Sequence, residues 1–297
     1  MPTGANPPHL PGPPHSGGAS VPTSRLSPWL NRVSPHPSTS SSRGGASVLT
    51  SRPPWSLYLL LLLPFLLHLR ASDLPAAPAP THQTNQIEGW TLHIDLRLLK
   101  DEPEATPKAI ELLRTQLQEI VRVVPAPAVA RLREVPLWFS SPYPGVGARA
   151  EYHPDAGWLR SNHRNPAMAR AVEFTDIKDF EAETRRMPNF TLHELAHGYH
   201  DRVLPEGFGN PELKAAHSRA KASGKYDKVE RKDAQGRSHT DRAYALVNPM
   251  EFFAESTEAF FTRNDFFPFN RNELHAADPE TEQLIGRLWG VPSFTKP

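Results

Sequence analysis

The residues best suited to chemistry form a short motif in the second half of the chain. Residues 191–197 read Thr-Leu-His-Glu-Leu-Ala-His, which contains the pattern His-Glu-x-x-His. On a helix, residues four apart share one face with Cβ atoms about 6 Å apart, so His193 and His197 can bind one metal ion. Zinc suits such nitrogen ligands and makes hydroxide available near neutral pH, and Glu194 is placed to accept the proton. The motif therefore predicts a zinc-dependent hydrolase.

A structural interpretation of the same motif stays open. Thr191 and Glu194 fit the pattern of a capping box, which would make the segment the start of a surface helix. His200 either lines the cleft or is a polar residue at the predicted helix end. Asp201 is either a carboxylate that contacts a ligand or a solvated residue. Neither is assigned as a metal ligand.

A catalytic zinc ion needs a third protein ligand. The metzincin pattern is excluded because Val203 takes the place of its third histidine. Asn248 followed by Pro249 instead predicts the start of a second helix. Glu251 on that helix would complete a His-His-Glu site, and Glu255, one turn later, would orient a ligand imidazole. Asn248 and Glu251 also fit a capping box, so closure of the helix terminus is the alternative.

The two segments together resemble the gluzincins, the thermolysin-like clan of zinc metallopeptidases. Residues 248–255, Asn-Pro-Met-Glu-Phe-Phe-Ala-Glu, are especially similar to the glutamate helix in the catalytic domain of anthrax lethal factor. The resemblance covers only residues 189–262.

The resemblance implies a role for each residue of the site. His193, His197 and Glu251 would bind a single zinc ion. Glu194 would be the general base, and Tyr244, seven residues before Glu251, would donate a hydrogen bond to the oxyanion. Glu255 would take the position beside a ligand imidazole.

Peptidases of this kind bind an extended peptide along the edge strand of a sheet. By resemblance, residues 172–175 are the predicted edge, with Val172, Glu173 and Phe174 as candidate substrate-binding residues. A peptide or protein is therefore the expected partner.

The hydrophobic pattern predicts an α+β fold with a small mixed sheet over residues 87–297. The resemblance implies that this is a zincin-like domain in which two helices carry the ligands. Residues 90–98 alternate between apolar and polar side chains and predict a strand, whereas residues 106–123 carry a helical apolar stripe. Further predicted strands are 135–139, 148–152 and 171–175, and further predicted helices are 210–224 and 278–290, with a hairpin turn at 233–237.

The N-terminal part has a different composition. Residues 1–54 are rich in Pro, Ser and Gly and predict a disordered leader. Residues 55–70 form an apolar run with basic flanks, which predicts a signal peptide or signal anchor and therefore export. A translation start near Val48 would account for the leader. Residues 71–86 predict a Pro/Ala linker.

Composition restricts the remaining function classes. The formal net charge of +1 gives no reason to expect nucleic acid as a partner, and a membrane is expected only through residues 55–70. The absence of cysteine excludes disulfides, thiol nucleophiles and cysteine-bound zinc. Two alternatives to a peptidase stay open: a zinc hydrolase of another amide or ester, and a non-catalytic module stabilised by zinc. A purely structural site would have no need of Glu194 and usually has four protein ligands.

Overall fold

The computed structural model describes residues 81–291. The predictions for the leader and the apolar segment fall outside the described residues, as does most of the predicted linker. Within residues 81–291, no helix has the length and apolar character needed to cross a membrane. The described part is a mixed α+β structure with a small sheet, as the sequence predicts.

Strands and helices are interspersed along the chain. The strands are β1 (His82–Ile87), β2 (Trp90–Asp95), β3 (Leu137–Ser140), β4 (Arg149–His153), β5 (Ala171–Thr175), β6 (Val229–Lys232) and β7 (Ser238–Asp241). The α-helices are α1 (Leu96–Asp101), α2 (Ala105–Val123), α3 (Ala126–Leu132), α4 (Ala156–Ser161), α5 (Phe180–Arg186), α6 (Phe190–Arg202), α7 (Pro211–Ser223), α8 (Pro249–Phe261), α9 (Arg271–Ala277) and α10 (Pro279–Leu288).

The main sheet has the strand order β1-β2-β3-β5-β4. Strands β2, β3 and β5 are parallel, whereas β1 and β4 run antiparallel to their neighbours at the two edges. Strands β6 and β7 form a separate antiparallel hairpin. Helix α6 carries the His-Glu-x-x-His motif, and β4 is the edge strand of the main sheet that packs against it.

The prediction that residues 172–175 form a free edge is wrong. Strand β5 pairs with β3 on one side and with β4 on the other, and all five of its residues are buried. A strand covered on both faces has a nearly continuous apolar sequence, and that sequence does not reveal whether a further strand lies beside it. The free edge among the described strands on this side is β4.

The start of the domain also differs from the prediction. Strand β1 lies within the segment predicted as linker, and its mostly polar residues suit an edge strand that leaves one face exposed. Strand β2 ends at Asp95, whose carboxylate accepts the N–H of Arg97 at 2.9 Å and caps α1. The alternation of apolar and polar residues from Leu96 onwards, which predicted a strand, therefore belongs to helix α1.

Helices α6 and α8 pack against each other inside the domain. Residues 190–200 of α6 and 251–260 of α8 are all buried. Trp289, just after α10, stacks on Tyr199 of α6 at 4.1 Å and on Phe253 of α8 at 5.8 Å. A buried helix face normally carries apolar residues, so the ionisable side chains between these helices need partners of opposite charge or a metal ion.

Candidate metal centre

Helix α6 begins two residues before the capping box considered for it. The side chain of Asn189 accepts the N–H of Leu192 at 3.0 Å and donates to the carbonyl of Gln116 at 3.0 Å. Asn189 is therefore the N-cap, and Thr191 lies inside a buried helix. The surface-helix interpretation of the motif is wrong because the motif residues are buried.

Helix α8 begins as the sequence predicts. The side chain of Asn248 accepts the N–H groups of Met250 and Glu251 at 2.8 and 2.9 Å, with Pro249 at the first helical position. The Glu251 carboxylate reaches into the interior instead of closing the helix terminus. Its Oε2 atom lies 3.1 Å from Nε2 of His193 and 3.5 Å from Nε2 of His197.

These three side chains form a group that can hold a metal ion. One donor atom from each of His193, His197 and Glu251 lies within 4.8 Å of the others, and each residue is at most 2% exposed. Tetrahedral zinc ligands at about 2.1 Å from the ion are roughly 3.4 Å apart. The separations of 3.1 and 3.5 Å from Glu251 Oε2 match that spacing, so the residues fit such an ion.

Burial and mutual contacts shift the pKa of each ionisable side chain in this group. Burial lowers the pKa of His193, but hydrogen bonds to Glu251 and Glu258 raise it well above its ordinary value. Burial raises the pKa of Glu251, but the charges and hydrogen bonds of His197 and His193 lower it to about 2. Burial lowers the pKa of His197. A metal ion would therefore compete with the proton on His193.

The residue that orients His193 is Glu258, which the sequence analysis did not single out. Its Oε2 atom lies 2.8 Å from Nδ1 of His193, whereas Oε1 of Glu255 lies 3.9 Å away. Glu255 instead accepts a hydrogen bond from Asn264 at 3.0 Å. At 3.6 residues per turn, Glu258 is about 20° from the direction of Glu251 and Glu255 about 40° on the other side. The spacing of seven residues between Glu251 and Glu258 is the signal in the sequence that indicates this contact.

Glu194 is buried beside this group. Its Oε2 atom accepts the backbone N–H of Tyr152 in β4 at 2.9 Å. Burial, together with the charge of Glu251, raises its pKa to about 8 against the opposing effects of His193 and the Tyr152 N–H. The edge strand thus contacts the carboxylate predicted to be the base.

Tyr244 lies on the turn that leads into α8. It begins the 3-10 turn Tyr244–Leu246 and is 9% exposed. His217 of α7 contacts the Leu246 carbonyl at 3.2 Å, which ties this turn to a neighbouring helix. Tyr244 and Glu251 lie on one continuous segment, which this contact anchors to α7. The oxyanion role of Tyr244 stays a prediction.

The predicted substrate-binding residues of β5 are buried inside the domain. Val172 and Phe174 belong to the main hydrophobic core. Glu173, with no exposed surface, accepts hydrogen bonds from Tyr143 at 2.7 Å and Arg164 at 2.8 Å, and contacts His153 at 2.8 Å. These contacts give Glu173 a structural role inside the sheet.

A second group, Glu151, His153 and Glu173, also has the spacing of metal ligands. One guanidinium nitrogen of Arg164 lies 2.8 Å from both Glu151 and Glu173. Because Arg164 already supplies a positive charge between the carboxylates, this group is a satisfied ion-pair network. The group of His193, His197 and Glu251 therefore stays the candidate metal centre.

The comparisons with known proteins point the same way. Residues 172–277, about a third of the chain, match the family model described as glucose-regulated metallo-peptidase M90. The match supports a metallopeptidase. The matched segment runs from β5 to the end of α9 and contains both helices of the candidate metal centre. No curated protein and no solved structure matches the chain significantly.

Proposed function

We propose that the chain is a zinc peptidase of gluzincin type that hydrolyses peptide bonds with Glu194 as general base. The observation that supports this most strongly is the convergence of His193, His197 and Glu251 from two helices, with a buried carboxylate next to them. The family match adds the reaction class. The identity of the ion, the base and the clan belong to the proposal.

His193, His197 and Glu251 would hold one zinc ion, and three protein ligands leave a position for water or substrate. When bound, the ion would supply Lewis acidity for the scissile carbonyl and the attacking water. Glu258 would keep Nε2 of His193 directed at this position by accepting a hydrogen bond from Nδ1.

The chain's own groups would then move the proton. Glu194, held through one carboxylate oxygen by the Tyr152 N–H, has a second oxygen with which to accept a proton from the attacking water. The same carboxyl group would deliver that proton to the leaving amine. Tyr244 would donate a hydrogen bond to the oxyanion.

The free edge of β4 is the proposed position of an extended peptide. Because the N–H of Tyr152 points away from β5, the backbone groups of Ala150, two residues earlier, point to the same free edge. A peptide can pair with these groups by strand addition. This replaces the predicted role of Val172, Glu173 and Phe174.

We also propose that residues 55–70 direct export of the enzyme.

The experiment that tests this function measures metal content and peptide cleavage of the full chain. We expect one zinc ion per chain and cleavage of a quenched peptide library that a chelator abolishes. Glu194→Gln should retain zinc but lose about 10²- to 10⁴-fold in rate. Glu212→Gln, on the exposed face of α7, is the matched control and should be fully active.

Two results would contradict the proposal in different ways. Zinc without cleavage of any peptide would favour another amide or ester substrate, or a non-catalytic module. Absence of bound zinc in the wild-type protein would overturn the metal centre itself. Glu251→Ala tests the metal centre separately, because it removes a proposed ligand and should lower zinc content without altering the proposed peptide-binding strand.

A further inference from the structure

One side of helix α6 contacts a single residue of the edge strand at three successive positions. The backbone N–H of Tyr152 donates to Glu194 at 2.9 Å, and its hydroxyl group donates to Asp201 at 2.7 Å. Between them, the Tyr152 ring packs on Gly198, where an added Cβ would lie only 3.1 Å from the ring. Residues 194, 198 and 201 are spaced four and three apart and therefore share one face of the helix.

The neighbouring face of α6 carries the metal-binding histidines. His193 and His197 point to Glu251 of α8. The helix is thus held from two sides, by α8 through the ligand group and by β4 through Tyr152. Because Glu194 is on the same helix as the histidines, α6 fixes its backbone relative to them. The orientation of its carboxylate, in contrast, depends on the Tyr152 N–H of β4.

Strand β4 has a paired neighbour on only one side, β5. Its position along α6 therefore depends on the contacts that it makes with the helix itself. The Tyr152 hydroxyl group makes such a contact at Asp201, close to the C-terminal end of α6, and the Tyr152 amide makes the other at Glu194, near the start. Together they fix both the distance and the register between strand and helix.

We propose that Tyr152 is a positioning residue for catalysis, which orients the Glu194 carboxylate through its backbone N–H and is itself held by the hydrogen bond from its hydroxyl group to Asp201. The inference rests on the proposed function of Glu194. One oxygen of the base is held by Tyr152, and the other is left for the water. The strand that receives the peptide thus also holds the base, which sets the scissile bond and the base in one frame. Small misplacements of a catalytic group cost up to about 10²-fold in rate.

The test compares two tyrosine-to-phenylalanine variants of the full chain. Tyr152→Phe removes the hydroxyl group that contacts Asp201. Tyr199→Phe is the matched control. Tyr199, on α6, is also buried, but its hydroxyl group donates to the Leu288 carbonyl at 3.3 Å, on the side of α10. We expect Tyr152→Phe to lower kcat about tenfold with KM within about twofold and zinc content unchanged, and Tyr199→Phe to keep the wild-type kcat.

A second measurement does not depend on activity. The amide hydrogen of residue 152 is hydrogen-bonded to Glu194 and should therefore exchange slowly in the metal-free protein. Tyr152→Phe should speed the exchange of this hydrogen with solvent, whereas Tyr199→Phe should leave it unchanged. Asp201→Ala removes the same hydrogen bond from the helix side, so its effect on kcat should not add to that of Tyr152→Phe. It also keeps the test usable if Tyr152→Phe folds poorly.

The outcomes separate the inference from the proposed function. A wild-type protein that cleaves peptides, with a kcat for both Tyr152→Phe and Asp201→Ala equal to that of Tyr199→Phe, would overturn the positioning role alone. Loss of zinc together with activity in Tyr152→Phe would also overturn it, since the residue would then support the ligands and not the base. A wild-type protein that cleaves no peptide would overturn both.

Discussion

The Oε2 atom of Glu258 lies 2.8 Å from Nδ1 of His193, across the imidazole ring from Glu251. This carboxylate fixes the ring so that Nε2 faces the Glu251 carboxylate. Glu255 was expected in this role but lies 3.9 Å away. The two glutamates therefore provide a matched pair of variants.

Glu258→Gln should weaken zinc binding about 10- to 100-fold, because an amide is a weaker acceptor for the imidazole N–H than a carboxylate. Glu255→Gln should have a much smaller effect. Burial and the charges of Asp265 and Glu258 raise the pKa of the Glu255 carboxyl, which favours its neutral form, so an amide replaces it without loss of charge. Competition with a chromophoric chelator measures both affinities. A larger loss in Glu255→Gln than in Glu258→Gln would show that the orienting contact is assigned to the wrong residue.

Metal affinity should increase with pH. In the metal-free protein the pKa of His193 is well above its ordinary value, because its hydrogen bonds to Glu251 and Glu258 outweigh burial. Below that raised pKa a metal ion must displace the proton, so affinity should fall about tenfold per pH unit for each proton released. Calorimetry in two buffers of different ionisation enthalpy counts the protons. Affinity that is equal at pH 6.5 and pH 8 would contradict this prediction.

Glu173 should contribute to acid stability. Burial raises its pKa, but the hydrogen bond and charge of His153, with smaller effects of Ser140 and Arg164, lower it to about 2 from 4.5. Because the folded-state pKa is depressed, the ionised group stabilises the fold above pH 4.5, and this contribution is lost as pH falls towards 2. The full contribution is about 3 kcal/mol.

The measurement is the urea midpoint as a function of pH. Glu173→Gln should be less stable at pH 7 and should lose less further stability between pH 4.5 and 2 than the wild type. Glu280→Gln, whose side chain is 74% exposed, should keep the wild-type profile. A wild-type profile in Glu173→Gln would mean that the ion-pair network does not stabilise the folded state.

Gly198→Ala should destabilise the protein although alanine favours helices. The added Cβ would lie 3.1 Å from both the Tyr152 ring and Val135, and Tyr152 is held by two hydrogen bonds. Overpacking of this kind costs about 1–3 kcal/mol, which exceeds the gain in helix propensity of about 1 kcal/mol.

Gly286→Ala in α10 is the matched control. Its Cβ would meet the Phe260 ring at 3.4 Å, an ordinary contact, so the propensity gain should remain and raise the Tm. Thermal unfolding of the two variants gives opposite signs if the close approach of β4 to α6 is as described. A higher Tm for Gly198→Ala would mean that Tyr152 can move without loss.

The sequence predicts the ligand helices well because their signals are local. Asn248 and Pro249 mark the start of α8, and the four-residue spacing of His193 and His197 defines one helix face. These patterns depend only on helix geometry and capping. Prediction of α6 and α8 therefore needs no knowledge of the rest of the fold.

The features that the sequence did not predict depend on contacts between distant segments. Whether Glu255 or Glu258 reaches His193 depends on how α8 is rotated against α6, a difference of tens of degrees. Whether β5 is an edge depends on the pairing of β4, which comes earlier in the chain and runs in the opposite direction. Nothing within residues 171–175 encodes that neighbour.

The contact between Glu194 and β4 also affects how the protein behaves at high concentration. An exposed edge strand is a template on which other chains can add strands and aggregate. Here the carboxylate of Glu194 already occupies the outward amide of Tyr152 and brings an acidic group to the edge. A second strand can pair with only part of β4. The contact between Glu194 and Tyr152 should therefore limit strand addition at this edge.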